Sequence, residues 1–131
     1  MKLAMGSILM VTLAGCASTY QLSAGPQVPA AQGMVQAKTG ENGNTRLKLS
    51  VQHLAMPDRI TAGSSVFVVW ARSPDAAAQN LGTLRVDKDL DGKFDTVTPL
   101  RNFELSVTPE ASANPSAPTG PMVLHTSINL R

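Results

Sequence analysis

Alternating apolar and polar positions dominate the chain after residue 44 and predict short β-strands. Leu47, Leu49 and Val51 occupy every second position of residues 45–53, between polar side chains. Because successive side chains of a strand point to opposite faces, this spacing predicts a strand with one buried face and one wet face. Residues 65–72 are apolar on both faces, which predicts a central strand of a sheet.

Further strands are predicted on both sides of an acidic turn. Residues 81–87 and 93–98 flank the sequence Asp-Leu-Asp-Gly at positions 89–92, which predicts a β-hairpin. Residues 103–107 alternate in the same way, and a last strand covers about residues 122–129.

Little of this region is left for helix. Only residues 74–80 could hold a helical turn. About seven short strands between residues 44 and 131 therefore predict an all-β fold, an antiparallel β-sandwich.

The chain begins with the parts of a secretory signal. Lys2 is followed by an apolar run over residues 3–13, and small residues precede the only cysteine, in the order Leu13-Ala14-Gly15-Cys16. This arrangement resembles the lipobox of bacterial lipoproteins. The resemblance implies that the Cys16 thiol accepts a diacylglycerol, that residues 1–15 are removed, and that the new amino group receives a fatty acid such as palmitate.

Such a protein would be anchored to a membrane by lipid instead of spanning it. The apolar run is shorter than the roughly twenty residues that a spanning helix needs, and several acyl chains on one residue bind a bilayer stably. Ala17 and Ser18 are not the acidic signal of lipoproteins kept in the inner membrane. The outer membrane is therefore expected in a Gram-negative host. The alternative is a cleaved signal peptide in which Cys16 is incidental.

Residues 16–43 differ in composition from the rest of the mature chain. They are rich in Ala, Gly, Gln, Ser and Pro and show no sustained apolar period. This composition predicts a lipidated N-terminus and flexible linker, which would hold the domain of residues 44–131 on the order of 25–30 Å from the bilayer.

The charge and cysteine content exclude several classes of protein. The chain has 131 residues, with 11 Lys+Arg and 9 Asp+Glu. Removing residues 1–15 removes Lys2, so ten basic residues face nine acidic ones and the net charge falls to about +1. This balance does not indicate a nucleic-acid partner. A lone cysteine cannot form an internal disulfide, so stability must come from packing.

A second resemblance covers roughly residues 64–128. Its parts are an aromatic-x-x-Trp strand at 67–70, a Gly-centred strand at 81–84, the Asp-Gly turn, the sequence Val-Thr-Pro-Glu at 107–110, and Pro-Thr-Gly-Pro at 118–121. Together they resemble the C-terminal, extracytoplasmic domain of anti-sigma-K factors. The resemblance implies an immunoglobulin-like β-sandwich.

The chain departs from that family in one respect. Anti-sigma-K factors join this domain to a transmembrane helix and a cytoplasmic domain that holds the sigma factor, and the sequence predicts neither segment here. Direct sigma-factor binding is therefore not expected.

Four aspartates form an incomplete calcium motif. Asp87, Asp89, Asp91 and Asp95 match ligand positions of a calcium-binding loop, but Thr98 stands where a bidentate glutamate is required. An Asp-Gly pair between two strands is also the ordinary sequence of a tight hairpin. The hairpin alone is favoured, with weak calcium binding as the alternative.

Other candidate residues favour structural roles. Trp70 could stack on a ligand, but its apolar strand favours a place in the core. His53 and His125 lack the spacing of a closed metal site. Residues 114–121 (Asn-Pro-Ser-Ala-Pro-Thr-Gly-Pro) could be a polyproline recognition segment, although a stiff loop between strands is favoured.

Three classes of function remain open. A noncatalytic envelope module for protein interaction or sensing is favoured, because the sequence shows no nucleophile-elbow pattern or other catalytic constellation. A structural or calcium-stabilised envelope lipoprotein is the alternative. An accessory enzyme would need a pocket with converging polar groups.

Overall fold

The computed structural model describes residues 17–130, and its β-rich content confirms the predicted all-β fold. Cys16 and the leader before it lie outside the described residues. The elements, in chain order, are β1 (Ser18–Ala24), β2 (Gln32–Thr39), β3 (Thr45–Gln52), α1 (Pro57–Ile60), β4 (Val66–Arg72), β5 (Gln79–Leu84), β6 (Gly92–Thr98), β7 (Asn102–Glu110) and β8 (Leu124–Asn129).

The eight strands form one antiparallel sheet in the order β5-β4-β7-β8-β1-β2-β3-β6. The first strand of the chain therefore lies near the middle of the sheet. Ser18–Leu22 of β1 pair with β2, whereas Ser23 and Ala24 pair with β8. The two outermost strands, β5 and β6, come together and are joined by a bridge between Val86 and Gly92, so the sheet is nearly closed on itself.

The core lies inside this curved sheet. In β3 the buried residues Leu47, Leu49 and Val51 alternate with exposed polar residues, as the sequence predicts. The central position of β4 is also confirmed, because β7 flanks it on one side and β5 on the other and its residues 67–71 are buried. Phe67, Val69 and Ala71 point into the core, and the remaining buried residues of β4 lie on the opposite face.

The prediction of a flexible linker is wrong for most of residues 16–43, because β1 and β2 are part of the sheet. The physical reason is the size of the buried side chains. In β2 the inward positions are Gly33, Val35 and Ala37, while the larger Met34 is 44% exposed on the outside. The hydrophobic alternation is therefore too weak to stand out from the surrounding Ala, Gly and Gln.

The predicted hairpin across the acidic turn is also wrong. The turn exists, with the Asp87 amide donating to the Asp91 carbonyl at 2.9 Å. However, β5 pairs with β4 and β6 pairs with β3, so a single bridge replaces the ladder of a hairpin. β5 and β6 lie at opposite ends of the strand order. The alternation of residues along each strand does not show which strand it pairs with.

The short helix is also misplaced in the prediction. It covers Pro57–Ile60 and not residues 74–80. Pro57 at the start of the helix explains this, since its fixed φ suits the first helical turn. Within residues 17–130, no helix is long and apolar enough to cross a bilayer.

The immunoglobulin-like part of the prediction is not confirmed. In an immunoglobulin sandwich the second strand lies between the first and the fifth. Here β2 lies between β1 and β3, and residues 17–130 form eight strands instead of about seven.

Candidate functional site

The outer surface of β2, β3 and β6 is uncovered and basic. Its exposed cations are Lys38 on β2, Arg46 and Lys48 on β3, and Lys93 on β6. We call these four residues and the outward side chains between them the basic face. Alternation along each strand places the cations on the side opposite the core.

The pairing of strands fixes how these charges are arranged. Lys38 lies directly opposite Arg46, and Arg46 lies opposite Val97 on β6. Lys48 lies between Gln36 and Asp95 in the next row. Side chains directly opposite in antiparallel strands have Cβ atoms about 4.5–5.5 Å apart, and like charges placed so are destabilising.

Most acidic residues lie outside the strand positions of this surface, although Glu41 in the β2–β3 turn and Asp87 and Asp91 beside Lys93 border it. Asp95 is the only acidic residue on the strand surface that forms the basic face in the described chain. The others lie in the 40–44 turn, α1, the 73–78 and 87–91 loops, and β7; they are Glu41, Asp58, Asp75, Asp87, Asp89, Asp91, Glu104 and Glu110. The nearly neutral chain therefore carries an asymmetric charge distribution that its net charge hides.

The basic face continues to the start of the described chain. Ser18 pairs with Ala37, so Ala17 lies one position further, level with Lys38. The row formed by Ala17, Lys38, Arg46 and Val97 is therefore the one nearest to the predicted acylation site. Cys16 itself is outside the described residues.

The acidic loop is organised as a turn. The Asp87 carboxylate accepts hydrogen bonds from the amides of Asp89 at 2.9 Å and Asp91 at 3.1 Å. Such a bond from an aspartate to the backbone two residues on is typical of a turn. Asp95 lies on β6, facing Lys48. Among residues 17–130, no group of three or more His, Cys, Asp or Glu side chains is arranged to hold a metal ion, His53 and His125 included.

Trp70 is fully buried, with 0% of its surface exposed, on the face of β4 opposite the main core. Its indole Nε1 donates to Thr108 Oγ1 at 2.9 Å. Thr108 in turn donates to Glu110 Oε2 at 2.6 Å. Trp70 is therefore buried, but outside the main core and in a chain of polar side chains that the sequence does not reveal.

Glu110 ends this chain and is only 2% exposed. Its carboxylate accepts hydrogen bonds from the amides of Thr119 at 3.0 Å and Gly120 at 3.2 Å, and from the Thr119 hydroxyl. Burial raises the pKa of the Glu110 carboxyl, but the hydrogen bonds from Thr108, Thr119 and Gly120 outweigh it and hold that pKa below its ordinary value of 4.5.

The proline-rich segment of residues 111–121 is fixed on the outer face of β4 and β7 by these bonds and two others. The Ser65 hydroxyl donates to the Ala111 carbonyl at 2.8 Å, and the Asn80 amide donates to the Ala113 carbonyl at 2.9 Å. The segment is therefore held against this face of the sheet. Sequence reasoning finds the loop and misses Glu110, because a glutamate at a strand end is ordinarily solvated.

The concave surfaces of the described chain are open grooves with mixed polar and apolar lining. A groove of about 690 Å³ lies at the ends of β4, β7 and β8, where Arg72 is opposite Glu104. Ser127 of β8 lies directly opposite Glu104 in the sheet, and both residues line the groove.

No protein-family model matches the chain, and no curated protein is similar to it.

Proposed function

We propose that this chain is an extracytoplasmic lipoprotein, attached to a membrane by acyl chains on Cys16, whose β-domain is a noncatalytic module for protein interaction or envelope sensing. The observation that carries the proposal is the sequence Leu13-Ala14-Gly15-Cys16 at the end of an apolar leader. The position of β1 supports it, because a folded domain that begins at Ser18 follows the cleavage site directly.

The proposal that the module acts by binding rests on its surfaces. A nearly closed sheet displays one charged face and several loops that a partner could contact. The resemblance of residues 64–128 to the extracytoplasmic domain of anti-sigma-K factors fits such a role. On this proposal the two halves of the sheet, β6-β3-β2-β1 and β8-β7-β4-β5, act as the layers of an immunoglobulin-like sandwich that share β1.

The partner of the module would be another envelope component. Direct sigma-factor binding is not part of the proposal. A calcium-stabilised envelope protein is less well supported, because the Asp87 carboxylate is engaged by two backbone amides of its own turn.

The test is the substitution Cys16→Ser in the native host. The unsubstituted protein should be found in the membrane fraction, with a mass that corresponds to residues 16–131 plus a diacylglycerol and a fatty acid. Cys16→Ser should abolish the lipid mass and either block processing or release the protein. Ala17→Ser, which leaves the thiol in place, is the control and should remain acylated.

An unchanged mass and unchanged membrane partition in the Cys16→Ser protein would contradict the proposal. Separation of the two membranes of a Gram-negative host tests the further expectation of an outer-membrane location.

A further inference from the structure

We infer that the basic face lies against the anionic phospholipid headgroups of the membrane that carries acylated Cys16. The inference rests on the proposed function for the position of the anchor. It goes further than the proposed function in two ways: it states which face of the domain is turned to the membrane, and it adds electrostatic binding by that face to the attachment by lipid.

The first argument is charge complementarity. Lys38, Arg46, Lys48 and Lys93 are exposed on one sheet surface with Asp95 as the only acid among them. Lys38 and Arg46 face each other across β2 and β3, an arrangement that weakens a sheet. An anionic surface placed against this pair would relieve the repulsion between the two cations.

The second argument is distance. Two residues of extended chain span at most about 7 Å, so acylated Cys16 cannot be far from Ser18, where β1 begins. This length is within the Debye length of about 8 Å at physiological ionic strength. The row of Ala17, Lys38 and Arg46 therefore stays inside the electrostatic field of the headgroups.

The third argument is the composition of the surface. Met34 is 44% exposed and Val97 is 53% exposed, and both lie among the cations. Long basic side chains with apolar stems beside exposed apolar groups suit the interface between water and headgroups. Each Lys or Arg near an anionic membrane strengthens binding roughly fivefold.

The first experiment measures which lysines the membrane protects. The acylated protein, purified from membranes, is reconstituted in vesicles of phosphatidylcholine alone or of phosphatidylcholine with phosphatidylglycerol, and then labelled briefly with an amine-reactive reagent. Lys38, Lys48 and Lys93 should be labelled several-fold more slowly on the anionic vesicles, and high salt should restore their labelling. Lys88, in the 87–91 loop at the opposite end of β3 from Arg46, is the internal control and should be slowed much less than Lys38.

Equal labelling of the three lysines on both kinds of vesicle would overturn the inference. Equal slowing of Lys88 would overturn it as well, since that result would show general shielding and not an oriented face.

The second experiment separates this inference from the proposed acylation. The Cys16→Ser chain, which carries no lipid at that position, is sedimented with the same two kinds of vesicle. Binding to anionic vesicles should fall about 25-fold when Lys38→Gln and Arg46→Gln are combined, from two losses of about fivefold each. Arg59→Gln with Lys88→Gln removes the same charge from α1 and the 87–91 loop, and should bind as before.

Lys38→Arg with Arg46→Lys preserves charge and should also retain binding, which shows that the charge is what is required, and an unchanged far-UV circular dichroism spectrum of the Lys38→Gln, Arg46→Gln chain excludes a folding defect. If both double neutralisations weaken binding equally, the basic face is not the site. If the chain prefers soluble polyphosphate to anionic vesicles, the assignment to a lipid surface is overturned. If the measured mass shows that Cys16 carries no lipid, the sedimentation experiment still decides whether the basic face binds phospholipid.

Discussion

Glu110 is a buried anion whose partners are all neutral donors. Threonine hydroxyls and the amides of Thr119 and Gly120 take the place of a cation around its carboxylate. Hydrogen bonds to a charged acceptor are stronger than those between neutral groups. At the scale of one residue, this carboxylate therefore attaches the 111–121 segment to β7. The local sequence contains only one of these donors, Thr108, because the others come from nine and ten residues further along the chain.

Glu110→Gln should lower the free energy of unfolding by about 1–3 kcal/mol, because the amide NH₂ group would face hydrogen-bond donors. Denaturant unfolding measures the change. Glu104→Gln, on the same strand but only partly buried, is the matched control and should have a much smaller effect. Equal losses in the two variants would show that the carboxylate network has no special role.

The stability difference between the unsubstituted protein and Glu110→Gln should depend on pH. Because the folded-state pKa of Glu110 lies below 4.5, its contribution to stability is complete above the unfolded-state pKa and is lost as the pH falls through the folded-state value. The stability difference between the unsubstituted protein and Glu110→Gln should therefore shrink as the pH is lowered from neutral to acid. A difference that stays constant across this range would contradict the lowered pKa.

Trp70 is buried on the face of β4 that points away from the main core, next to Thr108. Trp70→Ala should destabilise the protein by about 3–5 kcal/mol, the range for truncation of a buried aromatic side chain. Thermal or denaturant unfolding, followed by far-UV circular dichroism, measures it. A loss below about 1 kcal/mol would mean that the ring is exposed in solution.

At the scale of elements, the sequence predicts those strands whose buried residues are large. The alternation of Leu47, Leu49 and Val51 locates β3, and the doubly apolar run locates β4. β2 escapes prediction because Gly33, Val35 and Ala37 at its inward positions give only a weak alternation. β1 escapes it because its inward Tyr20 and Leu22 are only two residues among Ala, Ser and Gln, followed by prolines that resemble a linker. The acidic turn is located correctly, but its flanking strands are not partners.

Leu22→Ala tests whether β1 is a structural strand. Leu22 is 7% exposed in the core, and its truncation should cost about 2–5 kcal/mol. Gln21→Ala, on the exposed side of the same strand, should change stability by less than about 0.5 kcal/mol. If neither substitution changes the free energy of unfolding, residues 18–24 behave as a flexible linker, which would contradict the position of β1 in the sheet.

Gly82→Ala tests the contact between β5 and β6. Gly82 has a φ of 138°, and a Cβ there would lie 2.9 Å from the Phe94 ring. Gly63 has a φ of 85° with open space around it, so Gly63→Ala should cost only the backbone strain, about 1–2 kcal/mol. Gly82→Ala should cost about 1–3 kcal/mol more, because the ring must move. Equal losses by denaturant unfolding would show that β5 and β6 are not in close contact.

At the scale of the whole molecule, the sheet joins parts of the chain that are far apart. Ser23 of β1 pairs with His125 of β8, so the middle of the sheet cannot form until both ends of the domain are present. Local patterning identifies strands one at a time and contains no information on such pairings. This is why the all-β class is predictable here while the strand order is not.

Folding should accordingly be slow for a domain of this size. All-β proteins dominated by distant contacts fold on the order of milliseconds to seconds. Stopped-flow refolding followed by fluorescence reports on this directly, since Trp70 is the only tryptophan. Complete refolding within a small fraction of a millisecond would contradict the long-range pairing of β1 with β8.

The closeness of β5 and β6 also affects whether neighbouring molecules can aggregate by pairing at the edges of their sheets. A sheet grows into fibrils when a strand from another molecule is added at a free edge. A strand inserted between two others needs two spacings of about 4.8 Å, yet Cα atoms of β5 and β6 come within 8 Å of each other. Lys93 and Asp95 place charges along β6, and Asn80 links β5 to Ala113. Both edges are thus poor templates, and a dense layer of this protein should remain a layer of separate monomers.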